Sequence, residues 1–132
     1  MELGAHRWLP VLVLTAAVLG LILTESILAA RGTAEITQPE QNETISGMVE
    51  IRGTATDENM AYYQLEYSTR GRDWTPIGPA RRTAQVQNGV LGVWDTRHLA
   101  PGRYQLRLSV ADTAGNHNQN TVEVIVAAEP AR

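Results

Sequence analysis

Two hydrophobic periods divide this chain. No charge falls between Trp8 and Thr24, and the stretch from Leu9 to Leu23 is almost wholly apolar. Glu25 interrupts it, and Ile27-Leu28-Ala29-Ala30 resumes the apolar character before Arg31. Ended at Leu23, the run matches the core of a secretory signal peptide. Ended at Ala30, it approaches the ~20 residues that cross a bilayer as a helix. Glu25 would then lie near the outer interface, where a carboxylate is far less costly than at mid-bilayer. Arg7 and the amino terminus favour an N-inside orientation. Ile27 and Leu28 put large side chains where a cleavage site wants small ones. Residues 1–30 are therefore expected to be a signal anchor, with a cleaved signal peptide as the alternative, and 31–35 a short linker.

After Gly32 the period changes to two, the alternation of a half-buried strand, and turn residues recur every eight to twelve positions. A short strand is expected over 34–38, stopped by Pro39, and the polar run 40–43 reads as a surface loop. From Met48 to Thr56, Val49, Ile51, Gly53 and Ala55 share one face, opposite Glu50, Arg52 and Thr54. Over 62–69, Tyr63, Leu65 and Tyr67 share a face. After the turn Arg70-Gly71-Arg72-Asp73, Trp74 and Ile77 open a fourth element that resumes over 82–87. Asn88-Gly89 is a hairpin signal, because both residues tolerate positive φ, and it leads into a strand over 90–96. Tyr104, Leu106, Leu108 and Val110 alternate cleanly, and so do Val122, Val124 and Val126. Helical periodicity is absent beyond residue 32, and no internal repeat is visible. The expected architecture is all-β, a seven-stranded antiparallel sandwich over 36–127 with a short tail over 128–132. Its core would hold Val49, Ile51, Tyr63, Leu65, Tyr67, Trp74, Trp94, Tyr104, Leu106, Leu108, Val122 and Val124.

Composition narrows the function classes. In 132 residues the formal charge is only -3, which gives no nucleic-acid surface. There is no Cys, so disulfides, thiolate metal sites and Cys nucleophiles are excluded. All 11 basic residues are Arg, and Phe is absent, so the aromatic core must come from Trp and Tyr.

Ser46-Gly47 with Gly53-Thr54-Ala55, Tyr63-x-Leu65-x-Tyr67, Trp94-Asp95-Thr96, Pro101-Gly102-x-Tyr104-x-Leu106-x-Leu108 and Asp112-x-x-Gly115-Asn116 form a recognisable set. Over 36–126 the chain resembles the immunoglobulin-like or fibronectin-III-like modules appended to bacterial envelope proteins and secreted hydrolases. Such modules serve as spacers, adhesins or sugar-binding accessories, so the resemblance speaks to fold more than to function. It implies a tyrosine corner at Tyr104, whose hydroxyl would return to the preceding loop's backbone.

Catalysis finds no constellation. His98 and His117 should lie in loops at opposite ends of the sandwich, out of hydrogen-bond reach of each other, and His6 lies at the apolar segment. The loops around 57–59 and 112–120 should converge at one pole with Asn88-Gly89. Asp57, Glu58, Asp112 and Asn116 there are a weak calcium candidate, since Ca²⁺ wants six to eight oxygens and Asp and Asn equally serve turns. That pole also holds the start of the first strand. Arg70, Arg72, Arg97 and Arg103, with His98, should mark the other pole, a candidate surface for anionic glycans or a partner's carboxylates. Asn42-Glu43-Thr44 fits a glycosylation sequon. The function expected is a non-enzymatic interaction or spacer module of the cell envelope without cofactor, anchored in the membrane by residues 8–30, with the domain extracytoplasmic. Its partner would be a protein or a glycan and not nucleic acid. The alternatives are a secreted form, a carbohydrate-binding or adhesive module using exposed Trp or Tyr, and a subunit of a larger envelope complex.

Overall fold

The computed structural model describes residues 32–128. Residues 1–31 and 129–132, which take in the apolar run, His6 and Glu25, lie outside them. Among the described residues no helix is long and apolar enough to cross a membrane. The strands are β1 (Thr33–Gln38), β2 (Glu43–Ile45), β3 (Met48–Thr56), β4 (Met60–Ser68), β5 (Thr75–Pro76), β6 (Val86–Asp95), β7 (Gly102–Asp112) and β8 (His117–Val126). One sheet runs β1-β3-β6 and the other β2-β8-β7-β4-β5.

Period-two alternation gives each sheet one apolar face, and burying both faces requires that they meet. Ile36, Ile51, Ala55, Leu91 and Trp94 of the first sheet face Tyr63, Leu65, Leu106, Leu108, Val110, Val122 and Val124 of the second. Each fully buried aliphatic side chain contributes about 1.5–3 kcal/mol. In place of Phe, Tyr67, Trp94 and Tyr104 form an aromatic cluster: Tyr67 and Trp94 are tilted at 5.3 Å, and Tyr104 meets both edge-to-face at 6.0 and 6.3 Å. All the residues named above as core from β3, β4, β6, β7 and β8 are buried or packed against the core.

Several expectations need correction. The described strands are eight rather than seven, and not all are antiparallel. Part of the polar run becomes β2, which pairs parallel with β8 through Glu43↔Val124 to Ile45↔Val126. Its buried Ile45 supplies the apolar contact that the surrounding polar residues mask. The first strand begins at Thr33, so the stretch taken as a linker contributes to β1.

Asn88-Gly89 is not a hairpin turn. It lies inside β6 at a bulge, where the register with β3 shifts between Gly53 and Ala55. Asn88 holds φ 48° and its N–H donates to Thr54 Oγ1 at 3.1 Å. Bulges and tight turns both draw on positive φ, so the dipeptide serves either. The strands it was expected to join cannot pair, because residue 82 belongs to the other sheet. Arg82 bridges Tyr63 through reciprocal backbone hydrogen bonds of 2.8 and 3.0 Å.

Trp74 is not in the core. Thr75 and Pro76 pair with Tyr67 and Glu66 at the sheet edge, and the indole lies half-buried on the outer face beneath Arg107.

Candidate functional site

Loop geometry brings the acidic candidates to one pole. Thr113 N–H donates to the Asn59 carbonyl at 2.9 Å, tying the β3–β4 loop to the β7–β8 loop. Asn118 donates to the Gly32 carbonyl at 3.1 Å, so β1 opens at the same pole. The Asp112 carboxylate accepts from Ala114 N–H, Asn116 N–H and Asn116 Nδ2 at 2.8–2.9 Å. The Asn116 bonds, side chain first, hold its carboxyl below the usual carboxylate range. Asp57 Oδ1 accepts from Asn59 N–H at 2.8 Å. The carboxylates of Asp57 and Asp112 thus close Asx turns. Among the described residues no three His, Cys, Asp or Glu side chains are placed to share a metal ion.

The opposite pole carries the arginines. Arg97 grips the Asp95 carboxylate with two bonds of 2.9 Å and holds its carboxyl far below the ordinary range. Arg103 lies 3.4 Å from both Glu123 and the exposed Asn42 of the sequon. Arg70 and Arg72 sit in the exposed β4–β5 loop, which Ser68 Oγ organises by accepting from Arg70 and Gly71 N–H. His98 is exposed here, and His117 lies at the acidic pole, paired with Ala111. The two histidines are thus at opposite ends of the sandwich, and no relay can include both.

The outer face of the larger sheet holds a third feature. Arg107 donates to Glu66 at 2.8 Å and stacks its guanidinium 3.8 Å from the Trp74 ring centre. Arg81 covers Tyr62 in the same way at 4.8 Å. Trp94 is 2% exposed. A sugar-stacking platform would therefore have only Trp74 of the two domain tryptophans, with one of its ring faces occupied.

One site escaped the sequence. Arg82 sends its guanidinium between the sheets, against Gly78 of one edge and Gly92 of the other. Its Nε is buried without a hydrogen-bond partner. Beside it, the Tyr63 hydroxyl donates to the Leu91 carbonyl at 2.7 Å. Burial pushes the Tyr63 phenol up, and Arg82 partly offsets that. Arg82 stood unremarked in what reads as a strand, and only the crossing between sheets turns it inward.

Two facing sheets in this order, with Tyr104 donating to the Ala100 carbonyl at 2.7 Å as a tyrosine corner, define an immunoglobulin-like or fibronectin-III-like sandwich. No family model matches the chain, and no curated protein does. Among solved structures, the endo-β-1,4-mannanase from Thermotoga petrophila is similar over 74% of this chain, at 16% identity and a TM-score of 0.53. This chain spans only 20% of that one. CopC from Methylosinus trichosporium OB3b shows 17% identity over 75% of this chain and 95% of its own, with a TM-score of 0.43. The fibronectin(III)-like modules of Clostridium thermocellum CbhA show 18% identity over 73% of this chain and 97% of theirs, with a TM-score of 0.41. At 16% identity the likeness to the mannanase bears on fold alone.

Proposed function

We propose that this protein is a non-catalytic interaction or spacer module of the cell envelope. Residues 8–30 hold it to the membrane in a single pass, and the sandwich lies on the extracytoplasmic side. The observation that carries the reading is the join in the sequence: the apolar run ends at Ala30 and β1 opens at Thr33. Too few residues intervene for another domain. Non-catalytic character is supported by the separation of His98 from His117 and by the turn duties of Asp57 and Asp112. Because β1 enters at the acidic pole, the arginine pole is the end remote from that entry. Its partner is a protein or a glycan bearing carboxylates or other anions, the groups that guanidiniums recognise.

The test uses the full chain with a carboxy-terminal tag in bacterial cells. The expected result is a membrane pellet that resists carbonate extraction, with the tag digested by protease added to spheroplasts. A tag protected from external protease would overturn the orientation. A soluble, shortened protein would replace the anchor with a cleaved signal peptide.

A further inference from the structure

The β6 edge is the least defended surface of the domain. β6 pairs with β3 on one side only, and no strand covers its other side, where the Leu91 carbonyl is taken by the Tyr63 hydroxyl. Natural edges usually carry charge or proline as protection. From Val86 to Trp94 this one carries neither, and Val90 and Val93 point outward at 43% and 47% exposure. Behind the same edge sits Arg82, its guanidinium against Gly92. Arg52, Arg97, Arg103 and Arg107 each pair with a carboxylate. Among the described residues Arg82 has no such partner, and its Nε makes no hydrogen bond.

We infer that the β6 edge receives an extended segment of a partner protein, with a carboxylate on that segment pairing with Arg82. Side chains of an added strand alternate between its two faces. Those on one face would lie beside Val90 and Val93, and those on the other would point toward the Arg82 guanidinium beside Gly92. The matching segment is therefore apolar–acidic–apolar. A second copy of this chain does not fit, because its own β6 offers no carboxylate before Asp95. The bulge at Leu91, whose carbonyl turns inward to Tyr63, interrupts the ladder and disfavours indiscriminate pairing. Selectivity then rests on the Arg82 contact. This inference deepens the interaction-module reading and rests on it.

The experiment titrates the full chain in detergent micelles with a short capped peptide in which Thr and Val alternate around one central Glu. Backbone amide NMR and hydrogen exchange are the readouts. Binding should protect β6 amides, and Glu→Gln in the peptide should weaken it about tenfold or more, as expected for losing a charge-assisted bond. Val90→Lys with Val93→Lys should weaken binding and leave the fold intact. Arg82→Gln should match the peptide substitution; should that variant not fold, the peptide substitution alone decides. Absence of binding, equal binding of the Gln peptide, protection elsewhere than β6, or β6-mediated dimers of the chain would each overturn the proposal. None of these outcomes bears on membrane attachment, which the fractionation test reads separately.

Discussion

Tyr63 and Tyr104 each donate a 2.7 Å hydrogen bond to a backbone carbonyl, and their removal should not cost the same. The Tyr104 acceptor, Ala100, is exposed, so water replaces the lost hydroxyl in Tyr104→Phe. The cost is then the net value of one hydrogen bond, about 0.5–1.5 kcal/mol. The Tyr63 acceptor belongs to Leu91, which is 1% exposed. Tyr63→Phe leaves that carbonyl without a donor and removes the polar neighbour of the Arg82 guanidinium. A buried, unsatisfied group costs about 1–3 kcal/mol. In a domain of this size 1 kcal/mol moves the melting midpoint by about 4–8 °C. Urea and thermal unfolding of the domain from Gly32 onward, followed by circular dichroism, should order the two variants accordingly, with unchanged denaturant slopes. A Tyr104→Phe cost equal to or above that of Tyr63→Phe would refute the idea that acceptor burial sets the penalty.

Gly53→Ala should destabilise by about 1–3 kcal/mol, because its new methyl meets the Glu35 carbonyl oxygen of β1; urea midpoints check this. Leu106→Ala, at a position with no exposure, should cost about 2–5 kcal/mol in the same assay. Stability should respond at both ends of the pH scale. The raised Tyr63 value means the folded state keeps its proton longer, so stability holds below about pH 10 and falls as pH rises through the folded value; Tyr63→Phe should flatten that limb. Asp95 and Asp112 are depressed, so their contribution is present above about pH 4 and lost as pH falls through their folded values; Asp112→Asn should flatten the acid limb slightly, since both groups are exposed. Arg107→Gln should cost about 1–3 kcal/mol, because Glu66, whose side chain is 13% exposed, loses its partner and Trp74 its stacked cation. Arg70→Ala with Arg72→Ala should stay within about 0.5 kcal/mol of the parent.

The core was legible in the sequence because strand side chains alternate with a fixed period of two. Ile51, Leu65, Leu106, Leu108 and Val124 are all fully buried, as their spacing requires. The tyrosine corner was legible through Pro101-Gly102-x-Tyr104, where Gly102 takes φ 146° and Tyr104 then reaches Ala100. The connection from Trp74 to Val86 was not legible. Pairing there is short, at Thr75–Pro76 and again at Arg82, and sequence alternation does not reveal which sheet a short segment joins. β2 was hidden for a related reason: only Ile45 of its three residues is buried. Trp74 was misplaced because aromatic character signals burial without saying which face of the sheet supplies it.

The distribution of arginine separates fold from recognition. On outward strand positions Arg52, Arg103 and Arg107 lie opposite or beside carboxylates supplied by the same sheets, at Glu50, Glu123 and Glu66. There the pleat itself brings opposite charges together. In the connections flanking β5 no such register exists, and Arg70, Arg72, Arg81 and Arg82 have no carboxylate within ion-pair distance among the described residues. Three of these keep their guanidiniums hydrated or on an aromatic ring at little cost. Arg82 alone is partly buried with its Nε unpaired and only the Tyr63 hydroxyl as a polar neighbour, so it is the arginine to which a partner's carboxylate would add most.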